Sequence, residues 1–276
     1  MTHKEFELRT NDGLKLTGQA WLAEKSPKAL VVIVHGLGEH CGRYTHVAEA
    51  FTANRFHVYS FDQRGFGRSE GLRGHTPSFQ HLMDDISLAI QHARQECGED
   101  LPLFLYGHSM GGLEVLYYGL TTDVPLSGVI ATDPGLDLSS FSQAKLTIAK
   151  IGAALLPKMS IASGLDVNGL SRDTDVIQAY VDDPLVHDRA SFTLASEAMK
   201  APQFVIDHAA EWKLPLLLMH GTDDCVVSIK GTDKFFEAVS GDVTYKRWEG
   251  LYHELHNEPE KEEVIQAMLD WIKDRI

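Results

Sequence analysis

Apolar and polar residues alternate over positions 5–9 and again over 14–20, on either side of Asn11-Asp12-Gly13. Such alternation marks a strand with one buried face, and an Asx-Gly turn between two alternating runs predicts an antiparallel hairpin. Further along, the pattern changes to continuous apolar runs at 29–34, 57–61, 101–106, 128–131 and 214–219, each bounded by turn residues. Runs of this kind fit strands buried on both faces, as in a parallel sheet. Between them, stretches of helical period fall near 43–54, 76–97, 111–120, 230–240 and 259–275. Strand and helix alternate, so the chain is expected to form an α/β fold with a mostly parallel central sheet and helices on both faces. Residues 135–212 break the rhythm, with no clear strand and a stripe of Ile148, Ile151, Leu155 and Met159 at helical spacing. This stretch reads as a mainly helical cap insertion within a single domain spanning 1–276, and its stripe reads first as core.

Composition narrows the class. At 43% hydrophobic and 23% charged, with 23 Gly and 10 Pro scattered along 276 residues, the chain is globular rather than fibrous or disordered. A net charge of −14 makes nucleic acid a poor partner. Cys41, Cys97 and Cys225 are odd in number and widely spaced, so neither a disulfide framework nor a thiolate metal site is expected. The opening MTHKEFELRTNDG holds no apolar run of signal-peptide length, which points to the cytoplasm.

The chemistry concentrates at Gly107-His108-Ser109-Met110-Gly111-Gly112, which follows an apolar strand and opens a helix. That context turns G-x-S-x-G into a nucleophile elbow with Ser109 at the C-terminal edge of the sheet. A serine nucleophile needs a base and an orienting carboxylate, in the chain order Ser, acid, His. Asp224, after the run at 214–219, supplies the acid; His253, after a β-rich run at 243–248, supplies the base. Asp223 and Asp133 compete with Asp224 for the acid's role. The oxyanion of an acyl-transfer transition state requires two backbone donors, here assigned to Met110 and to Leu37 in the loop His35-Gly36-Leu37-Gly38. His253-Glu254-Leu255-His256 is one residue short of H-E-x-x-H, so no metal site is expected. His35, His108 and His220 each end a strand beside this edge and are expected to donate or accept supporting hydrogen bonds.

The blocks HGLGEHCGRY (35–44), DQRGFGRSEG (62–71), GHSMGG (107–112), SRDTDVIQAYVDDPLVH (171–187), HGTDDCVVS (220–228) and WEGLYHELHNEPE (248–260) span nearly the whole chain. On these blocks the chain resembles the bacterial monoacylglycerol lipases of the serine α/β-hydrolase superfamily. The resemblance implies Asp224 as the acid, no cofactor, and hydrolysis of a monoacylglycerol ester. It also implies a glycerol site formed by Glu39, Arg43 and His256, and a cap that forms an acyl tunnel and touches membrane surfaces or micelles transiently. A structural ion pair holding the loop is the competing role for Glu39 and Arg43. A lysophospholipase, thioesterase or short-chain carboxylesterase with the same triad is the nearest rival function, and a catalytically silent ligand receptor a more distant one. Glu114, Asp133 and Cys225 depart from the family pattern.

Overall fold

The structure is a computed structural model describing residues 1–137 and 143–276, the side chains of 143–146 excepted. The Asn11-Asp12-Gly13 turn closes a hairpin of β1 (Thr2–Arg9) and β2 (Lys15–Leu22), in antiparallel register from Thr2↔Leu22 to Arg9↔Lys15. After it come β3 (Ala29–Val34), α1 (Thr45–Ala53), β4 (Phe56–Phe61), α2 (Phe79–Cys97), β5 (Leu103–His108), α3 (Met110–Thr121) and β6 (Gly128–Thr132). A second series follows: α4 (Gln143–Leu155), β7 (Ser160–Ala162), α5 (Thr174–Asp182), β8 (Arg189–Ser191) and α6 (Phe192–Asp207). The chain then returns through β9 (Leu216–Gly221), α7 (Ile229–Ala238), β10 (Val243–Trp248) and α8 (Lys261–Lys273).

The large sheet has the order β1-β2-β4-β3-β5-β6-β9-β10, antiparallel from β1 to β4 and parallel from there on. Its central strands are buried on both sides, which accounts for their unbroken apolar runs. On β3, Leu30, Val32 and Val34 pack with Ile86 of α2 and Val115 of α3. Ala29, Val31 and Ile33 face the other way, onto Val47 and Phe51 of α1 and Met268 and Ile272 of α8. Successive side chains of a strand point to opposite faces, so one sequence run feeds both cores.

Two expectations need correction. The 135–212 stretch, of which 138–142 lie outside the described residues, contains two short strands. β7 and β8 pair antiparallel from Ser160↔Ser191 to Ala162↔Arg189 and form a separate two-stranded sheet. Three-residue strands are too short to show an alternating pattern. The apolar stripe is not core: Ile148, Ile151 and Leu155 are 55%, 57% and 74% exposed, and Met159, beyond the end of α4, is exposed as well. α4 packs on α6 through an adjoining side, where Ala149 is buried and Gly152 lies against the Phe192 ring. Small residues permit that close approach, leaving the bulky stripe facing outward. Among the described residues, no helix is long and apolar enough to cross a membrane.

Candidate active site

Ser109 joins β5 to α3 at φ 56° and ψ −116°, a conformation that side chains other than glycine rarely adopt. The surrounding backbone holds it there: Ser109 N–H donates to the Thr132 carbonyl (3.0 Å), and the Ser109 carbonyl accepts from Leu113 and Gly135 (3.0 Å each). The flanking glycines are required by space. A Cβ on Gly107 would collide with the Gly111 carbonyl, and one on Gly111 with the carbonyl oxygens of Val34 and His35. A sharp strand-to-helix turn thus lifts the hydroxyl to the edge of the sheet.

Two loops at that edge meet it. His253 Nε2 lies 2.9 Å from Ser109 Oγ, and His253 Nδ1 lies 2.7 Å from Asp224 Oδ2. An ionised carboxylate only accepts, so Nδ1 carries the proton and Nε2 offers its lone pair to the serine hydroxyl. Asp224 Oδ1 accepts from the backbone N–H groups of Val226 (2.8 Å) and Val227 (2.9 Å). Burial opposes charge on Asp224, yet the adjoining His253 and His220 hold its pKa well below the usual carboxylate range. Burial likewise disfavours the imidazolium of His253, but the Asp224 carboxylate outweighs it and moves the pKa up. Asp223 is exposed and interacts with Thr222 Oγ1. Asp133 accepts from Gly221 N–H through Oδ1 (2.9 Å), with burial and the neighbouring Asp224 raising its pKa well above normal. Among the described residues, the grouping that could hold a metal is Asp133, His220 and Asp224, where Asp224 Oδ2 is already committed to His253.

Leu37 and Met110 line the same cavity as Ser109. Met110 is the first residue of α3, where backbone N–H groups lack intrahelical acceptors. The Leu37 loop is fixed by Glu39, whose Oε1 accepts from Gly36 N–H and Tyr44 OH (2.7 Å each) and whose Oε2 accepts from Arg43 (2.7 Å). Arg43 also binds both oxygens of Glu254 at 2.7 Å and stacks over the Tyr180 ring. Arg43 overcomes the burial of Glu254 and keeps that carboxylate ionised. The ion pair and the loop support therefore coexist.

Two cavities meet at Ser109. One, of about 150 Å³, is apolar and runs beneath the inserted segment, between Leu113, Ile161, Leu165, Leu194 and Val227. The other, of about 10 Å³, is bordered by Glu39, His108, Tyr180, His253 and Glu254. Neither Arg43 nor His256 lines it. His256 is buried, stacked on Tyr44 (ring centroids 4.7 Å apart) and edge-on to His108 (4.9 Å). Burial and the proximity of His253 push His108 down to about 3, so it is neutral; its Nδ1 lies 3.1 Å from Thr132 Oγ1. Sequence reasoning missed Tyr180 and Glu254. Glu254 could have been found from its place between His253 and His256, whereas Tyr180 arrives from α5 through tertiary folding alone.

The family model Hydrolase_4, described as serine aminopeptidase, S33, matches residues 25–260. A monoacylglycerol lipase of Mycolicibacterium smegmatis is 33% identical over 274 residues, covering 98% of this chain and 97% of the relative. An abhydrolase domain-containing protein of Dictyostelium discoideum is 38% identical over 280 residues; the match covers all of this chain but only 30% of that protein's length. The crystal structure of the Paleococcus ferrophilus monoacylglycerol lipase superposes with a TM-score of 0.85 at 34% identity, covering 100% of both chains. By sequence and architecture, therefore, the chain belongs to the Hydrolase_4 family of α/β-hydrolases, alongside the monoacylglycerol lipases.

Proposed function

We propose that the protein hydrolyses the ester of monoacylglycerols to glycerol and fatty acid through an acyl-enzyme intermediate. Ser109 is the nucleophile, His253 the general base and acid, and Asp224 the carboxylate that orients it. As Oγ attacks the ester carbonyl, the hydroxyl proton passes to His253 Nε2, and the oxyanion is received by the N–H groups of Leu37 and Met110. Each such donor contributes about 3 kcal/mol. Collapse of the tetrahedral intermediate expels glycerol, whose leaving oxygen takes the proton from His253. A water deprotonated by the same imidazole then cleaves the acyl-enzyme, and neither half-reaction requires a cofactor. Residues 135–212 serve as the cap, and the exposed side of α4 meets a membrane surface or micelle transiently.

The observation that carries this reading is that an apolar cavity and a much smaller crevice bordered in part by polar side chains meet at Ser109. The apolar cavity suits a single acyl chain, and the polar side chains bordering the crevice, Glu39, His108 and Tyr180 among them, offer hydrogen-bond partners to the hydroxyl groups of an alcohol at Ser109. Glu39 faces the alcohol while holding the oxyanion loop; Arg43 acts through Glu39 and Glu254, and His256 through His108. The relatives named monoacylglycerol lipases support the same substrate. The test compares turnover of monoacylglycerol, diacylglycerol, triacylglycerol and lysophospholipid at one chain length. Fastest cleavage is expected for monoacylglycerol, with labelling by a fluorophosphonate probe that Ser109→Ala abolishes. Faster cleavage of lysophospholipid overturns the substrate assignment, and labelling that survives Ser109→Ala overturns the nucleophile.

A further inference from the structure

Behind the Asp224–His253 pair stands a second imidazole that the mechanism above does not use. His220, on β9, is fully buried. Its Nδ1 lies 2.8 Å from Thr232 Oγ1 on α7, and its Nε2 lies 3.1 Å from the Val227 carbonyl oxygen and 3.2 Å from Asp224 Oδ2. A carbonyl and an ionised carboxylate can only accept, so Nε2 carries the hydrogen and Nδ1 accepts from the Thr232 hydroxyl. The protein thus fixes the tautomer of this ring.

Resting on the reading in which Asp224 serves His253, we propose that His220 is a positioning residue of the reaction, one that shares Asp224 Oδ2 with His253 and so sets both its direction and its pull on that imidazole. Asp224 then accepts three hydrogen bonds, from Val226 and Val227 N–H on Oδ1 and from His253 on Oδ2, while the His220 Nε2–H, bonded to the Val227 carbonyl, also approaches Oδ2 at 3.2 Å as a fourth, shared donor. A carboxylate has about four lone-pair positions, so its rotation is blocked and its charge divided. Without the His220 donor, more of that charge falls on His253, whose imidazolium would hold its proton more tightly: a smaller neutral fraction is present at low pH, and the proton is returned less readily to the leaving glycerol oxygen.

Asp133 completes the arrangement from the end of β6. Its Oδ1 is 3.8 Å from His220 Nε2, and its Oδ2 is buried without a hydrogen-bond partner. An ionised carboxylate there would compete with Asp224 for the His220 proton; its raised pKa keeps it neutral. The other titratable groups acting on this cluster are Glu39, Glu254, Glu258 and His108, with the Cys225 thiol beside Asp224 and the Tyr106 and Tyr245 hydroxyls near Asp133.

The test pairs His220→Phe, which keeps a ring and removes both nitrogens, with His220→Gln, whose side-chain amide restores a donor at the Nε2 position. On a soluble short-chain ester, His220→Phe is expected to lose roughly tenfold or more in kcat with KM little changed. The acid limb of its kcat/KM profile should move up by about half a pH unit. His220→Gln should recover most of kcat and return the limb. Nitrogen-15 NMR of histidine-labelled wild type, which needs no folded variant, should find His220 protonated at Nε2 and not at Nδ1. A His220→Phe enzyme with normal kcat and an unmoved limb overturns the proposal, as does a folded His220→Gln as impaired as His220→Phe, or an Nδ1-protonated His220. Asp224→Asn, assayed in parallel, separates the two readings. If it stays active, the assignment of the acid has failed; if it is inactive while His220→Phe is normal, only the role of His220 has.

Discussion

Ser109 sits in a backbone conformation that its neighbours impose, and the residues opposite it are equally constrained. Because Asp224 fixes the tautomer of His253, Asp224→Asn should lower kcat by about 10⁴-fold with little change in melting temperature; steady-state kinetics and a thermal melt check this together. His253 must be neutral to accept the serine proton, and its raised pKa places the acid limb of kcat/KM above the ordinary histidine value of 6.5. A limb centred below 6.5 would count against His253 as the base. Glu114 bears on stability instead. It is buried in α3, both carboxylate oxygens lack partners, and burial, with Asp85 nearby, raises its pKa well above 4.5. The native state then keeps a proton that the unfolded chain releases, so stability falls as pH rises above 4.5 toward the folded value. Glu114→Gln removes that dependence, so the melting-temperature difference from wild type should shift in favour of the variant from pH 4 to pH 8. A difference that stays constant with pH would mean that Glu114 is not neutral in the folded state. At this scale the sequence singled out Ser109, Asp224 and His253, which the structure brings within hydrogen-bond distance, because each lies in a local turn motif. It did not carry Tyr180, whose place beside Glu39 and Arg43 depends on how α5 is carried over the sheet.

The apolar stripe of α4 illustrates what periodicity leaves open. An amphipathic helix has one bulky apolar side, but periodicity does not say whether that side meets protein or solvent. Here Ala149 and Gly152 form the packed side and Ile148, Ile151 and Leu155 the exposed one. If α4 rests on a lipid surface, Ile151 and Leu155 each lose about 1.5–3 kcal/mol of apolar transfer when changed to serine. The double variant Ile151→Ser with Leu155→Ser should therefore turn over long-chain monoacylglycerol in vesicles severalfold more slowly and co-sediment less. Its hydrolysis of a dissolved short ester and its melting temperature should stay near wild type. Equal rates on vesicles and dissolved ester would remove α4 from the interface. Strand ends were also displaced from their predicted positions: β5 begins at Leu103 and runs through Gly107 and His108. Backbone pairing with β3 and β6 extends it past the last bulky apolar residue.

Across the whole molecule, the inserted segment is tied to the sheet edge by polar contacts far apart in sequence. His40 Nε2 lies 2.8 Å from Asp183 Oδ2, His187 Nε2 lies 2.9 Å from the Gly65 carbonyl, and Arg172 donates to Glu258 at 2.7 Å. The net charge of −14 acts over the whole surface. Long-range repulsion is screened by salt, so binding to anionic vesicles should be weaker than to zwitterionic ones, with the gap narrowing as ionic strength rises. A preference for anionic vesicles at low salt would show that a local basic patch overrides the overall charge. The sequence by itself determined the alternation of strands and helices in the main sheet and the strand-to-helix turn at Ser109, and it pointed to Asp224 and His253, because each is a local pattern of period, turn chemistry or short motif. Only the tertiary structure decided which side of α4 faces outward, that Arg43 is held between Glu39 and Glu254, and that His220 stands on the far side of Asp224. Those arrangements depend on contacts between residues up to 211 positions apart, and burial, which sets their charges, exists only once the chain has closed around them.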